Sequence, residues 1–206
     1  MIAQQTSRDG EFFSSSSQTS NMNMAVTAEA FKVMSSQIYQ HKGAAVVREY
    51  MCNACDAHID AGKAHVPYDV QAPTHLDPVF RVRDYGTGLD DHGVRVVFST
   101  YFQSTKKEKK EAVGFLGLGS KSGYSYSDSF LINAFHDGTL RSYMAFFDQN
   151  NMPALSLMGE WPTDEPNGVE ISMPVTPADI DTFRDDIAFI SSFMKVEPNV
   201  LNGDIW

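Results

Sequence analysis

The sequence predicts an α+β fold, one mixed and mostly antiparallel sheet with helices packed on one face. Three observations predict it. Apolar residues recur at helical spacing between Thr27 and Ala61, alternating and aromatic runs dominate from Phe130 to Val175, and helical spacing returns after Pro177. Helices followed by a block of hairpin-linked strands segregate into layers rather than alternating as βαβ units. At 206 residues the chain is long enough for one sizeable core.

The elements follow in order. Residues 1–23 are polar, with the run Ser14 to Ser17, and read as a flexible arm in which Glu11-Phe12-Phe13 could add a short strand. Residues 24–206 read as one domain. Thr27 is a suitable N-cap for a helix with Phe31, Met34 and Ile38 on one face. A second helix should run from about Ala44 to Ala61 and stop at Gly62. "LDPVFRVRD", Leu76 to Asp84, alternates as a strand and ends at "YGTG"; a short amphipathic segment follows through Val94, Val97 and Phe98. Ser99 to Glu111 is polar and lysine-rich, a poor core segment and a good loop. Phe130–His136, the turn Asp137-Gly138 and Thr139–Phe147 form a hairpin pattern. Strands at Ala154–Trp161 and Val169–Val175 flank the turn-rich "PTDEPNG". Pro177 opens a last helix with apolar positions Ile180, Phe183, Ile187, Ile190 and Phe193.

Composition excludes some classes. The chain is 42% hydrophobic and 20% charged, ordinary for a globular protein, and its formal charge of −10 argues against broad nucleic-acid binding. No apolar run approaches the ~20 residues of a membrane-spanning helix, and no secretory signal opens the chain. An intracellular setting is therefore expected, with reduced cysteines.

Three polar constellations carry chemistry. In "REYMCNACDAH", Arg48 to His58, a C-x-x-C spacing invites a zinc or redox reading. Zinc usually takes four Cys or His ligands, whereas only Cys52 and Cys55 exist and the six His are scattered. On a helix, Asn53 lies about +40° and Asp56 about −20° from Glu49, so the three share a narrow face. Val47, Tyr50, Met51, Ala54, Ala57 and Ala61 gather opposite, and the cysteines lie on the flank, at about −60° and −120°, as small half-buried hydrophobes. Taken alone, Glu49, Asn53 and Asp56 read as a solvated helix face. In "RDYGTG", Asp84 is followed by Gly86 and Gly88, glycines that let backbone approach a flat ligand beside a carboxylate able to accept from an exocyclic amine. The simpler reading is a strand-to-helix turn. In "GFLGLGSKSG", Gly114, Gly117 and Gly119 precede Ser120 and Lys121; such backbone opening a helix can present N–H groups to phosphate, although the spacing is neither the P-loop nor the Rossmann pattern.

The order E-x-x-x-N-x-x-D-A, D-x-G-x-G, polar loop, G-x-x-G-x-G resembles the Bergerat-fold ATPases, the superfamily of gyrase B, heat-shock chaperones, histidine kinases and MutL. "GVEI", Gly168 to Ile171, stands where that superfamily has its last strand under the nucleotide, and "GLGSKSG" is similar to the lid of Morc-type members. More narrowly, "AEAFKVMSSQIYQHKGAAVVREYMCNACDAH", "LDPVFRVRDYGTGL", "STYFQSTK", "GFLGLGSKSGYSYSDSF" and "GVEISMPV" resemble the rIIA-like proteins of tailed bacteriophages, over most of the chain from Ala28. Gly123-Tyr124 departs from the proline and aromatic usual after the lid glycines of that family.

The resemblance implies a two-layer Bergerat sandwich that binds ATP and Mg²⁺. It assigns Asn53 to the metal and Glu49 to the attacking water as general base. Asp56 completes the acid box; Asp84 is assigned to the adenine amine, Gly86 and Gly88 to the room around the base. Gly114, Gly117, Gly119, Ser120 and Lys121 would hold the phosphates, and Ser99 to Val113, with Lys106, Lys107, Lys109 and Lys110, would be the lid. Two-domain members supply a further lysine from a following, transducer-like domain, which is expected to be absent here, so ATP binding is expected ahead of turnover. A weak ATPase and a nucleotide-gated module that dimerises through its N-terminal arm with little hydrolysis both remain open. The implied setting is a phage protein in the cytoplasm of the infected bacterium, with a peripheral place at the inner membrane left open. It would act in lysis inhibition or in protection from prophage exclusion, through a protein partner that the sequence does not identify.

Overall fold

The computed structural model describes residues 41–99 and 119–202. Its first element, α1 (Lys42–Asp60), buries Val46, Val47, Tyr50, Met51, Ala54, Cys55 and His58. It stops where Gly62 adopts φ +69°, the left-handed conformation that glycine takes without a Cβ penalty. Two short strands follow, β1 (Tyr68–Gln71) and β2 (Val79–Arg83), then α2 (Asp91–Ser99). After a 3-10 turn at Gly119–Lys121 and a single helical turn, α3 (Gly123–Tyr126), the chain enters β3 (Ser129–His136), β4 (Thr139–Phe147), β5 (Pro153–Pro162) and β6 (Gly168–Pro174). A 3-10 turn at Pro177–Asp179 leads into α4 (Ile180–Ser191), and β7 (Pro198–Leu201) closes the described chain.

The strands form one seven-stranded sheet in the order β5-β4-β3-β6-β2-β1-β7. Only β1 and β7 pair in parallel; every other neighbouring pair is antiparallel. Register explains how one face becomes the core. Val70 pairs with Val82, Val82 with Ile171, Ile171 with Ile132 and Ile132 with Tyr143, an apolar row across five strands, every member buried. Residues two apart share a face, so Phe80 and Phe130 belong to it as well. The four helices of the described residues all meet this face: Tyr50 of α1 and Tyr124 of α3 pack on Phe130, Phe183 of α4 packs edge-on to Phe80, and Asp91 of α2 accepts from the Tyr143 hydroxyl at 2.9 Å. Burying each such aromatic is worth about 2–3 kcal/mol, far more than any surface pair in the molecule, so this layer contact determines the architecture. The opposite face carries the polar row Asp69, Arg83, Glu170, Asn133 and Ser142, in which Asn133 Nδ2 donates to Glu170 at 2.9 Å. The α+β class and the helices on one face therefore stand as expected.

Most predicted elements are present, with instructive differences. The strand expected from Leu76 begins only at Val79, and Leu76 is fully exposed. A turn closes there, with Thr74 N–H donating to the Asp77 carbonyl and Asp77 N–H to the Thr74 hydroxyl oxygen, and Pro78 has no N–H for the ladder. Phe193, expected on the core face of the last helix, lies beyond its end at Ser191 and is 70% exposed against Phe189. Strands β1 and β7, four residues each, give only a weak alternation signal, and α3 is a single turn. The expected arm, the expected helix from Thr27 and the lysine-rich segment from 100 onward lie outside the described residues. Among the described residues no helix is long and apolar enough to cross a membrane.

Candidate functional site

The face of α1 bearing Glu49, Asn53 and Asp56 is not a solvated face. Asp56 is buried, Asn53 is half-buried, and the Glu49 side chain is only 20% exposed. Two glycine segments approach the helix beside it, one at Glu49 and one at Ala57 on the flank of that face. A Cβ on Gly119 would fall on Glu49 Oε2, and a Cβ on Gly86 would lie 3.0 Å from both Ala57 Cβ and the Ala57 carbonyl oxygen. Glycine at both positions is thus what lets backbone reach α1. Glu49 and Ala57 are eight residues apart, about 12 Å along the axis, with Asn53 and Asp56 between them. Arg48 Nη2 donates to Glu49 Oε1 at 2.8 Å, leaving Oε2 on the Gly119 side.

Asp84 ends β2 in a buried position. Its Oδ1 accepts from Gly86 N–H at 2.9 Å and its Oδ2 from Val169 N–H at 3.1 Å. Burial pushes its carboxyl above the usual range, opposed by those two N–H groups and by the Arg83 guanidinium. Each oxygen keeps a further lone pair, so an added donor would relieve the cost of holding this charge away from water. Arg83 itself sits over the Phe135 ring at 3.9 Å and the Tyr85 ring at 4.9 Å, and donates to the Asp84 and Pro166 carbonyls. Burial lowers its pKa from the ordinary guanidinium value, with Asp84 working the other way. Gly88 has φ +74°, and a Cβ there would strike the Phe135 carbonyl oxygen.

The turn at Gly119 is tied down on two sides. Ser120 Oγ donates to the Val97 carbonyl at 2.9 Å, fixing it to α2. Tyr50 of α1 donates its hydroxyl to the Ser120 carbonyl at 3.2 Å and accepts from Gly123 N–H at 3.1 Å. Gly123 leaves no room for a side chain, since a Cβ would press on Tyr50 Oη, Met173 Cε and Phe130 Cε1. That close approach is a physical reason for glycine at position 123. The Ser122 hydroxyl is buried with no hydrogen-bond partner among the described residues.

Glu49, Asn53, Asp56, Asp84, Gly86, Gly119 and Ser120 therefore lie on or against α1 and the end of β2. Gly88 abuts β3, the Lys121 backbone lies in the 3-10 turn, and Gly114 and Gly117 fall outside the described residues. Cys52 is half-buried and Cys55 buried, both free thiols; burial, with Glu49 and Asp56 nearby, pushes Cys52 up to about 11, so it stays a thiol at neutral pH. No family model matches the chain, and no curated protein matches it.

The residues present fit an adenine nucleotide in two respects. Asp84 can take a further donor, and Gly119 leaves a backbone cradle against Glu49 that a Cβ would fill. Among the described residues no group of three His, Cys, Asp or Glu side chains is placed to hold a metal ion. A magnesium ion would therefore draw on the Asn53 amide, phosphate oxygens and water, a donor set that this ion accepts. Sequence reasoning gave no site role to four residues that build the site: Tyr50, placed on the core side of its helix, Arg83, within a strand, His58, one of the scattered histidines, and Lys63. One signal was available, because His58 lies 180° from Glu49 on the helix, a polar ring on the core face.

Proposed function

We propose that this protein binds ATP with Mg²⁺ and hydrolyses it weakly. One observation carries the reading: two glycine segments far apart in sequence close on α1 beside its polar residues, Gly119 at Glu49 and Gly86 at Ala57 on the flank of that face, with about 12 Å of helix axis between the two contacts. That is the layout an extended nucleotide requires, with a base-reading carboxylate at one end and a backbone cradle at the other. In this reading Asp84 accepts from the adenine amine, and Gly86 and Gly88 keep side chains away from the base. Asn53 is the metal's protein ligand, while the backbone at Gly119, with Ser120 and Lys121, binds phosphate. Bound magnesium would neutralise phosphate charge. Glu49, through the oxygen that Arg48 leaves free, orients the attacking water and takes its proton, a contribution of ~10²–10⁴-fold for a placed general base.

The Arg48–Glu49 pair favours a second reading, in which the protein is a nucleotide-gated interaction module with little turnover. An oxygen already accepting from Arg48 at 2.8 Å is engaged, and the pair holds the carboxylate in one place rather than leaving it to follow a water. Glu49→Ala separates the two. The first reading expects retained ATP binding with phosphate release lost, and it fails if the wild-type protein binds ATP but releases no phosphate. For the biological setting, a phage role in lysis inhibition or resistance to prophage exclusion, our proposal rests on the family resemblance alone.

A further inference from the structure

Three consecutive backbone N–H groups leave the end of β2, and each is held by a different kind of partner. Asp84 N–H donates to the Val169 carbonyl at 2.9 Å, continuing the sheet. Gly86 N–H donates to the Asp84 carboxylate at 2.9 Å. Between them, Tyr85 N–H donates to His58 Nε2 at 2.8 Å, a side chain of α1. The Tyr85 carbonyl is held too, by Lys63 Nζ at 2.7 Å, and the Tyr85 hydroxyl donates to Asp69 at 2.6 Å. Both peptide units around Tyr85 are thus gripped by side chains from the end of α1 and the turn beyond it.

The pairing fixes the chemistry of His58. An N–H can only donate, so Nε2 must carry the lone pair and Nδ1 the proton, which goes to the Val66 carbonyl at 2.8 Å. The ring is fully buried and packed edge-on between Tyr68 and Tyr85, so it cannot turn without losing both bonds. His58 lies two residues beyond Asp56 on the helix that carries Glu49 and Asn53. No other side chain of that helix bonds the Asp84–Gly86 run among the hydrogen bonds described.

We infer that His58, assisted by Lys63, is a positioning residue that sets the Asp84 carboxylate relative to α1 and so determines selectivity for adenine. The inference rests on the ATP reading above. An exocyclic amine donates to Asp84 whereas the guanine carbonyl oxygen meets it as a second acceptor, so discrimination depends on where that carboxylate is held. Loosening Tyr85 leaves Asp84 joined to the sheet but free to shift against the helix.

The test compares two polar replacements. His58→Gln places an amide oxygen near the Nε2 position and keeps an acceptor for Tyr85 N–H; His58→Asn reaches only as far as Nδ1 and loses it. ATP and GTP affinities are measured for wild type and both variants, together with amide hydrogen exchange at Tyr85 and Gly86. His58→Asn is expected to lower the ATP:GTP affinity ratio and speed exchange at both amides by roughly tenfold each, the scale of one lost buried hydrogen bond. His58→Gln should stay within about threefold of wild type, a rescue that mere space-filling would not give. If His58→Asn does not fold, Lys63→Met removes the other grip outside the fully buried core, with the same sign and about threefold size expected. Wild-type affinity ratio and exchange in the folded loss variant overturn the inference alone. A wild-type protein that binds no ATP overturns the nucleotide reading, and this inference with it.

Discussion

Replacing Gly119 by alanine puts a methyl group where the Glu49 carboxylate now sits, and the structure indicates which of the two must move. The colliding atom is Oε2, the far end of a flexible side chain one-fifth exposed, while the Gly119 backbone is held through Ser120 to Val97 and Tyr50. Glu49 should therefore swing aside. Moving it off its preferred rotamer and out of the Arg48 pair costs about 1 kcal/mol, the sum of a modest torsional strain and a surface ion pair. In a domain of this size that is a fall of about 2–4 °C in Tm. The effect on turnover should be much larger, because a group displaced by about an ångström can lose about 10²-fold. Calorimetric ATP titration, thermal melting and phosphate release on the same preparation make the comparison. The expected pattern is near-normal ATP affinity and stability with phosphate release reduced about a hundredfold, matching Glu49→Gln. Unchanged phosphate release would show that turnover does not depend on the place of Glu49, and a melting point lowered by more than about 10 °C would show that Glu49 did not yield; either result refutes the reasoning.

Gly88→Ala meets a different obstacle, the Phe135 carbonyl in a central strand at a left-handed φ of +74°, and should cost about 2–5 kcal/mol in denaturant unfolding. Tyr50→Phe removes the hydroxyl that bridges the Ser120 carbonyl and Gly123 N–H; a loss of about 1–3 kcal/mol and faster exchange of the Gly123 amide are expected by NMR. The Asp179 carboxyl is held below its usual range by hydrogen bonds from Thr176 and Tyr126. A lowered folded pKa means stability that is present above the ordinary aspartate value near ~4 and is lost as pH falls through the folded one. Asp179→Asn should accordingly lower the melting temperature most above about pH 5, and the gap to wild type should close as pH falls below about pH 4, which flattens the acid limb of the profile.

Legibility in the sequence followed the strength of local signals. The β3–β4 hairpin was readable to within one residue because Asp137-Gly138 marks its turn and alternation runs on both sides, and the turn residues do adopt positive φ. The long helix was readable because its core face is continuous and Gly62 ends it. The short strands β1 and β7 were not, since an alternation over only four residues beside prolines and turns is a weak signal; they exist because the sheet supplies their partners. In the site, residue types and spacing marked Glu49, Asp84 and the glycines, and helical geometry aligned the acid box. What the sequence could not convey was contact. That Gly86 rests on Ala57, that Gly119 rests on Glu49, and that His58 grips Tyr85 are facts of tertiary packing between segments 27 to 70 residues apart. The same packing buries Asp56, which on an isolated helix would lie on a solvated face.

Titration with labelled ATP, with and without Mg²⁺, on wild type and Asp84→Asn tests the central claim most directly. The asparagine puts an NH₂ group opposite either Gly86 N–H or Val169 N–H and removes the acceptor charge, so a melting curve accompanies the titration. The account predicts Mg²⁺-dependent binding by the wild-type protein and at least about tenfold weaker binding by a folded Asp84→Asn. Absence of Mg²⁺-dependent binding, or equal affinity in the two proteins, contradicts it.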